Sequence, residues 1–245
     1  MSSAVEPLLV AEGLGKRFGA LVVLDGIDFS VDPGEAVGIV GPNGAGKTTL
    51  LNVLAGSQRP NSGRVTFRGS HITSTSAAAR CRLGIARAHQ VPKPFGHMTV
   101  FENVFVGAAS GGRKRARQAY DRSIETIELC EMLELANRPA ESLGLLDRKR
   151  LELARALATE PTVLLLDEIG AGLTDVEASR LVATIRTLRD QGIAIVWIEH
   201  IVHVLVQVID RLVCVDAGRV IADGEPGDVM ADSRVIDAYL GSAVR

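Results

Sequence analysis

Hydrophobic and polar positions along this chain change period twice. Residues 8–31 alternate in short runs broken by turns, with Phe29-Ser30-Val31 running into Asp32-Pro33-Gly34-Glu35, and read as short strands. Ala36-Val37-Gly38-Ile39-Val40 is an unbroken apolar run of strand length, the mark of a buried strand. Leu50-Leu51-Asn52-Val53-Leu54 reads as helix. Pro60-Asn61-Ser62-Gly63 is a turn, residues 64–69 alternate as a strand, and residues 83–88 are a candidate strand leading to Gln90.

From about residue 91 to residue 158 the pattern is mostly helical. Thr99 followed by Glu102 has the spacing of a helix-opening capping box. Gly111-Gly112-Arg113-Lys114-Arg115 reads as a loop, and the basic cluster it begins reads as a solvated face. Residues 117–133 carry helical periodicity, and residues 147–159, rich in Leu, Arg and Ala, predict a strong helix. After Pro161 the alternation of strands and helices returns. Val163-Leu164-Leu165-Leu166 ends at Asp167-Glu168, and Ile193-Ala194-Ile195-Val196-Trp197-Ile198 ends at Glu199-His200. Residues 175–189 predict a helix between them, with a hairpin at Asp216-Ala217-Gly218 and a helix near residues 235–240 after them. Such alternation predicts an α/β fold with a largely parallel sheet. Ligands of such sheets sit at the carboxyl ends of the strands, where Gly41, Asp167 and His200 fall.

Composition narrows the classes. A chain of 245 residues with 47% hydrophobic content builds one large or two small domains. A net charge of −2 excludes a nucleic-acid binder held by bulk charge, so no nucleic acid is expected as partner. Cys81, Cys130 and Cys214 fit no metal spacing and read as reduced thiols of a cytoplasmic protein. Met1-Ser2-Ser3-Ala4-Val5-Glu6-Pro7 lacks a basic start before an apolar run, so no signal peptide is expected. No run of about 18 apolar residues occurs, so a membrane role would be peripheral and through a partner.

The segment between the buried strand and the helix supplies chemistry. Gly41, Pro42, Asn43, Gly44, Ala45, Gly46, Lys47, Thr48 and Thr49 spell G-x-x-x-x-G-K-T, the loop that wraps the phosphates of a nucleoside triphosphate. Glycine lets the backbone approach a polyanion and turn its N–H groups inward. Lys47 is expected to reach the β- and γ-phosphates, Thr48 to offer a hydroxyl to Mg²⁺, and the helix that follows to aim its positive end at the same charge. Asp167, at the end of an apolar strand, can hold Mg²⁺ through water, and Glu168 can polarise an attacking water. His200, ending the neighbouring strand, is placed to contact the γ-phosphate.

These residues, with Gln90 and the helix Leu151-Glu152-Leu153-Ala154-Arg155-Ala156-Leu157, stand in an order and spacing that resemble the ATP-binding subunit of an ABC transporter over essentially the whole chain. The resemblance implies a P-loop NTPase core, an N-terminal antiparallel β subdomain and an inserted helical subdomain. The core would be about residues 1–90 and 159–245, and the helical subdomain about 91–158, within a single domain of residues 1–245. It implies ATP and Mg²⁺, with Gln90 touching Mg²⁺ and the attacking water and linking the core to a transmembrane permease. It puts Phe18 under adenine, where a ring face suffices for stacking. Gly84-Ile85-Ala86-Arg87-Ala88-His89-Gln90, Ala171-Gly172-Leu173-Thr174 and the end Val235-Ile236-Asp237-Ala238-Tyr239-Leu240-Gly241 resemble the branched-chain and hydrophobic amino-acid importer subgroup. That subgroup implies a peripheral position on the inner face of the cell membrane, with an extracytoplasmic binding protein as an indirect partner.

The chain departs from this family at its signature. Where Leu-Ser-Gly-Gly-Gln is usual it has Leu143-Gly144-Leu145-Leu146-Asp147, and Ser142 lies one residue early. Leu146 adds a Cβ where glycine allows close approach, and Asp147 adds negative charge beside a polyanion. Asp147 is expected to serve as the N-cap of the helix that follows. Ile169 replaces the usual proline and Thr174 the usual aspartate. A heterodimer is therefore expected, in which a second ATPase subunit supplies the intact signature, although a homodimer is compatible with the sequence. Two other readings stay open here: a cassette ATPase that serves as a scaffold without a transporter, and a nucleotide-binding regulator of low turnover.

Overall fold

The computed structural model describes residues 6–242. Residues 1–5, part of the stretch read above for a signal peptide, and residues 243–245 lie outside them. The chain opens on two long strands, β1 (Leu9–Phe18) and β2 (Leu21–Val31). The expectation of several short strands over residues 8–31 is corrected. The antiparallel pairing shifts register between Ala11 and Leu14, between Leu14 and Lys16, and between Lys16 and Arg17. Each shift resets which side chains point inward, so a bulged strand looks in sequence like several short ones. β3 (Ala36–Val40) and α1 (Lys47–Ala55) follow. β4 (Ser62–Phe67) and β5 (Ser70–His71) complete a four-stranded antiparallel sheet in the order β2-β1-β4-β5.

Residues 83–88 are not one strand. Leu83 closes a helix, α2 (Ala77–Leu83), Gly84 caps it at φ 111°, and β6 is only Ile85–Ala88. Only glycine takes that φ without strain, which fixes the boundary. α3 (Val100–Val106) opens at Thr99, whose hydroxyl accepts the Glu102 N–H while the Glu102 carboxylate accepts the Thr99 N–H, the expected reciprocal cap. One wider helical turn, Gly107–Gly111, continues it. Arg113, Arg115 and Arg117 are exposed, as a solvated basic face should be, and Lys114 pairs with Glu160 at 2.8 Å. α4 (Ala116–Leu129) stops short of residue 133 because Glu131, at φ 55°, turns the chain. α5 (Leu145–Leu157) begins two residues before the expected helix.

The rest of the chain runs β7 (Val163–Asp167), α6 (Asp175–Asp190), β8 (Ala194–Ile198), α7 (Val202–Leu205), β9 (Arg211–Asp216), β10 (Arg219–Gly224), α8 (Pro226–Ala231) and α9 (Ser233–Ser242). A six-stranded sheet forms in the order β10-β9-β3-β8-β7-β6, with only β10 antiparallel. β3, β7 and β8 are buried along their whole length, as the inner strands of parallel sheets are, while only Ala222 is buried on the edge strand β10. Val37, Ile39, Leu165, Val196 and Val213 pack towards α1 and the four-stranded sheet. Leu164, Leu166, Ile195, Trp197 and Cys214 pack into a second core continuous with α3, α5 and α6. The helical stretch after Gln90 thus shares the sheet's core and does not enclose a separate one.

Arg80 of α2 fixes where α1 ends. It is fully buried, and all five of its N–H groups donate to carbonyls: Val53, Leu54, Ile72, Thr73 and Thr75. Two of these are carbonyls of the last turn of α1, the negative end of the helix dipole. Burial pushes the guanidinium down to about 10, so it keeps its charge at neutral pH. Arg80→Met should destabilise the chain by about 3 kcal/mol in urea unfolding, since it strands buried acceptors. Arg80→Lys should recover only part of that, because an ammonium has three donors and no fork.

Candidate functional site

The loop between β3 and α1 is held by close backbone contacts. A Cβ at Gly41 would lie 1.9 Å from the Val215 carbonyl, and one at Gly46 would lie 2.6 Å from the Val23 carbonyl, so both positions exclude side chains. Gly46 is also the N-cap of α1 and provides no side-chain cap. The first-turn amides of α1 therefore stay open at the positive end of the helix, an arrangement that suits an anion. Lys47 is buried, and its ammonium donates to the Gly41 carbonyl at 2.6 Å and the Pro42 carbonyl at 2.9 Å. Burial lowers its pKa, against the raising effect of Glu168 and Asp167. Thr48 is exposed on the same turn.

The ends of β6, β7 and β8 bring the other residues together. Glu168 follows β7, and its carboxylate is held at both oxygens. Gln90 Nε2 donates to Oε2 at 2.6 Å, and His200 Nε2 lies 2.6 Å from Oε1. An ionised carboxylate only accepts, so His200 Nε2 carries the hydrogen in that pair. His200, expected at the γ-phosphate, thus sits on Glu168 in this arrangement. Glu168 has φ 47°, unusual for a residue with a side chain. Its N–H donates to the Ile198 carbonyl and its carbonyl accepts from Lys149 Nζ at 3.2 Å, which pins the backbone on both sides.

Asp167 is buried, with one oxygen accepting from Arg87 at 2.5 Å. The other, Oδ1, is buried without a hydrogen-bond partner. A buried carboxylate oxygen left over in this way fits a divalent cation or its water. Arg87 also donates to Asn52 on α1, tying β6 to the helix that follows the phosphate loop. Phe18 ends β1 with its ring half exposed, so it is not a core residue, and the Lys16 ammonium lies 5.1 Å from the ring centroid.

The "ABC transporter" family model matches residues 24–171. The chain belongs to the ABC transporter family. A second model, "Branched-chain amino acid ATP-binding cassette transporter", matches residues 219–245 of this cassette. The cassette is 36% identical to the high-affinity branched-chain amino acid transport ATP-binding protein LivG of Escherichia coli, over 97% of this chain and 99% of that protein. It is 33% identical to the corresponding protein BraF of Pseudomonas aeruginosa, over 97% and 99%. Among solved structures it resembles a nucleotide-free ATP-binding cassette from an ABC transporter, with a TM-score of 0.87 and 30% identity over 96% of this chain and 99% of that one. It also resembles the ADP conformation of an ATP-binding cassette, with a TM-score of 0.86 and 31% identity over the same shares.

In this cassette the signature segment is built differently from the expectation. Gly144, not Asp147, is the N-cap of α5, and it offers no side chain. Asp147 lies in the first turn, where a carboxylate complements the helix dipole, with Arg150 3.8 Å away. The reason is local: Arg148 reaches back to the Leu143 and Glu141 carbonyls and fixes the chain entry three residues earlier. Thr174 caps α6 reciprocally with Glu177, and Ile169 is buried.

Three side chains at the site escaped the sequence reading as individual residues. Arg87 is a charge inside an apolar strand, which was the signal available. Glu199 is buried and accepts the Gly170 and His200 amides, and burial raises its pKa. Lys149 is buried beneath Glu168, and burial lowers its pKa against the pull of Glu199 and Glu168. Its signal was only its helical register. Lys149→Met should slow ATP turnover about 10-fold through a partial loss of Glu168 positioning, while ATP affinity changes less than twofold. Steady-state kinetics and equilibrium binding on the same variant check both.

Proposed function

We propose that this cassette is the ATP-hydrolysing subunit of an importer for branched-chain or related hydrophobic amino acids or amides. The observation that carries the chemistry is Glu168, held between Gln90 and His200 at the end of β7. Each carboxylate oxygen keeps a second lone pair after these bonds, so Glu168 can still accept a hydrogen from water. As the water oxygen bonds to the γ-phosphorus, its proton passes to Glu168 and the bond to the β–γ bridging oxygen breaks, leaving ADP and phosphate. Lys47 and the α1 amides stabilise charge on the transferring group, and His200 would join them only by turning its Nε2–H from Glu168 to the γ-phosphate. Phe18 stacks on the adenine. Thr48, Asp167 and Gln90 would hold Mg²⁺, which would offset phosphate charge. The unpartnered Asp167 oxygen supports that set.

The core would be residues 1–90 and 159–245 and the helical subdomain residues 91–158. A cleft of about 640 Å³ between them, lined by Gln90, Lys93, Phe95, Val106 and Glu152, supports a permease docking beside Gln90. Among the described residues no helix is long and apolar enough to cross a membrane, so the permease would supply the path and hold the cassette at the inner face. Substrate choice would rest with an extracytoplasmic binding protein. Glu168→Gln should keep ATP binding and lower kcat by about 10² or more. Unchanged hydrolysis would remove Glu168 from its role.

The partner is a second ATPase subunit, and a heterodimer is favoured. At the α5 N-terminus Leu145 is half exposed and Asp147 lies in the first turn, a poor match to the phosphates of a facing ATP. The partner's signature would then serve this chain's phosphate loop. In the reconstituted pair, Lys47→Ala should abolish most transport-coupled hydrolysis, and the equivalent lysine change in the partner should cost far less. Equal losses would exclude unequal sites.

A further inference from the structure

The C-terminal helix reaches the first residue of the phosphate loop. The Tyr239 hydroxyl of α9 accepts the Gly41 N–H at 2.9 Å. Gly41 is buried where β3 leaves the sheet, one residue beyond the last pairing of Val40 with Cys214. An amide buried there needs an acceptor, and the sheet does not supply it. The other side of Gly41 faces the Val215 carbonyl too closely for any side chain. Its own carbonyl takes the Lys47 ammonium. One residue thus joins the tail, the strand end and the lysine.

The docking of α9 is separate from the hydroxyl. Val235 is buried in the core that holds Val229 and Ala222, and the Asp232 carboxylate accepts the Arg234 N–H at the start of the helix. Tyr239, one helical turn after Val235, is only partly buried. The anchoring side chain and the one that touches the loop are therefore different residues.

We infer that Tyr239 is a positioning residue for nucleotide binding: by holding the Gly41 amide it pre-sets the corner from which Lys47 must swing to reach phosphate. This gives the tail segment a task at the nucleotide site. It rests on the reading of that loop as the nucleotide site. A pre-set corner lowers the ordering cost of binding, so its loss shows in affinity more than in the chemical step.

The experiment is a calorimetric titration of the full chain with ADP and Mg²⁺, well below the unfolding temperature, paired with ATP hydrolysis kinetics. Tyr239→Phe should weaken ADP binding about 3- to 10-fold, the scale of one hydrogen bond, with the loss in hydrolysis falling on KM rather than kcat. Val235→Ala, which keeps the hydroxyl and loosens the helix, should weaken binding in the same direction. The double variant should be no weaker than the product of the two and closer to Tyr239→Phe alone, since both act through one contact. An unchanged ADP affinity in Tyr239→Phe, whatever its melting temperature, overturns the proposal. Lys47→Ala separates the two levels: if it binds ADP as the parent does, the nucleotide-site reading fails. If it loses binding while Tyr239→Phe does not, only the tail's role fails.

Discussion

The site depends on four parallel strand ends falling level with one another. Ile198 of β8 pairs with Ile39 of β3 on one side and Asp167 of β7 on the other, and Ala88 of β6 pairs with Leu166. One or two residues further on, each chain leaves the sheet at the same edge. A sheet buried on both faces cannot expose polar atoms sideways, so its chemistry is confined to that edge. Gly41, Glu168, His200 and Gln90 come from four separate places in the sequence and meet there because hydrogen-bond register, not sequence distance, sets where the strands end.

That concentration gathers charge where solvent is scarce. Lys47, Arg87, Lys149, Asp167 and Glu199 are buried or nearly so. A buried charge without partners is expensive, and none of these lacks one. Lys47 rests on two carbonyls of its own loop, Arg87 on Asp167 and Asn52, and Glu199 on two amides. Two atoms among them are left over, one oxygen of Asp167 and Nε of Arg87. The charges are therefore largely satisfied by one another and by backbone groups, and of the two leftover atoms the Asp167 oxygen is the one that suits a cation.

α5 ties the signature segment to the strand-end site. Its exposed N-terminus carries the altered signature, and four residues into the helix Lys149 reaches the carbonyl of Glu168. Further along, Glu152 accepts from the His89 amide and Arg155 donates to the Lys93 carbonyl, on either side of Gln90. A rigid helix that touches both the Glu168 backbone and the Gln90 loop moves them together if it rotates. The exposed N-terminus of α5, the backbone of Glu168 and the cleft beside Gln90 therefore share one rigid element.

Much of this was legible without coordinates. The phosphate loop, the buried strands and the acidic and histidine strand ends could be read because each is a local pattern: glycine placement, an apolar run, a polar residue where the run stops. Thr99 with Glu102 was legible for the same reason. Bulges in β1 hid its length, because a register slip erases the period that sequence reading relies on. The cap of α5 is not legible locally, because the choice between Gly144 and Asp147 depends on Arg148 folding back onto the Leu143 and Glu141 carbonyls. Arg87 with Asp167, Lys149 under Glu168 and Tyr239 on Gly41 join residues 80, 19 and 198 positions apart. The sequence alone determined what kind of ligand the strand ends could take. The tertiary structure decided which side chains hold those ends in place, since pairings at that separation are set by packing and leave no local trace.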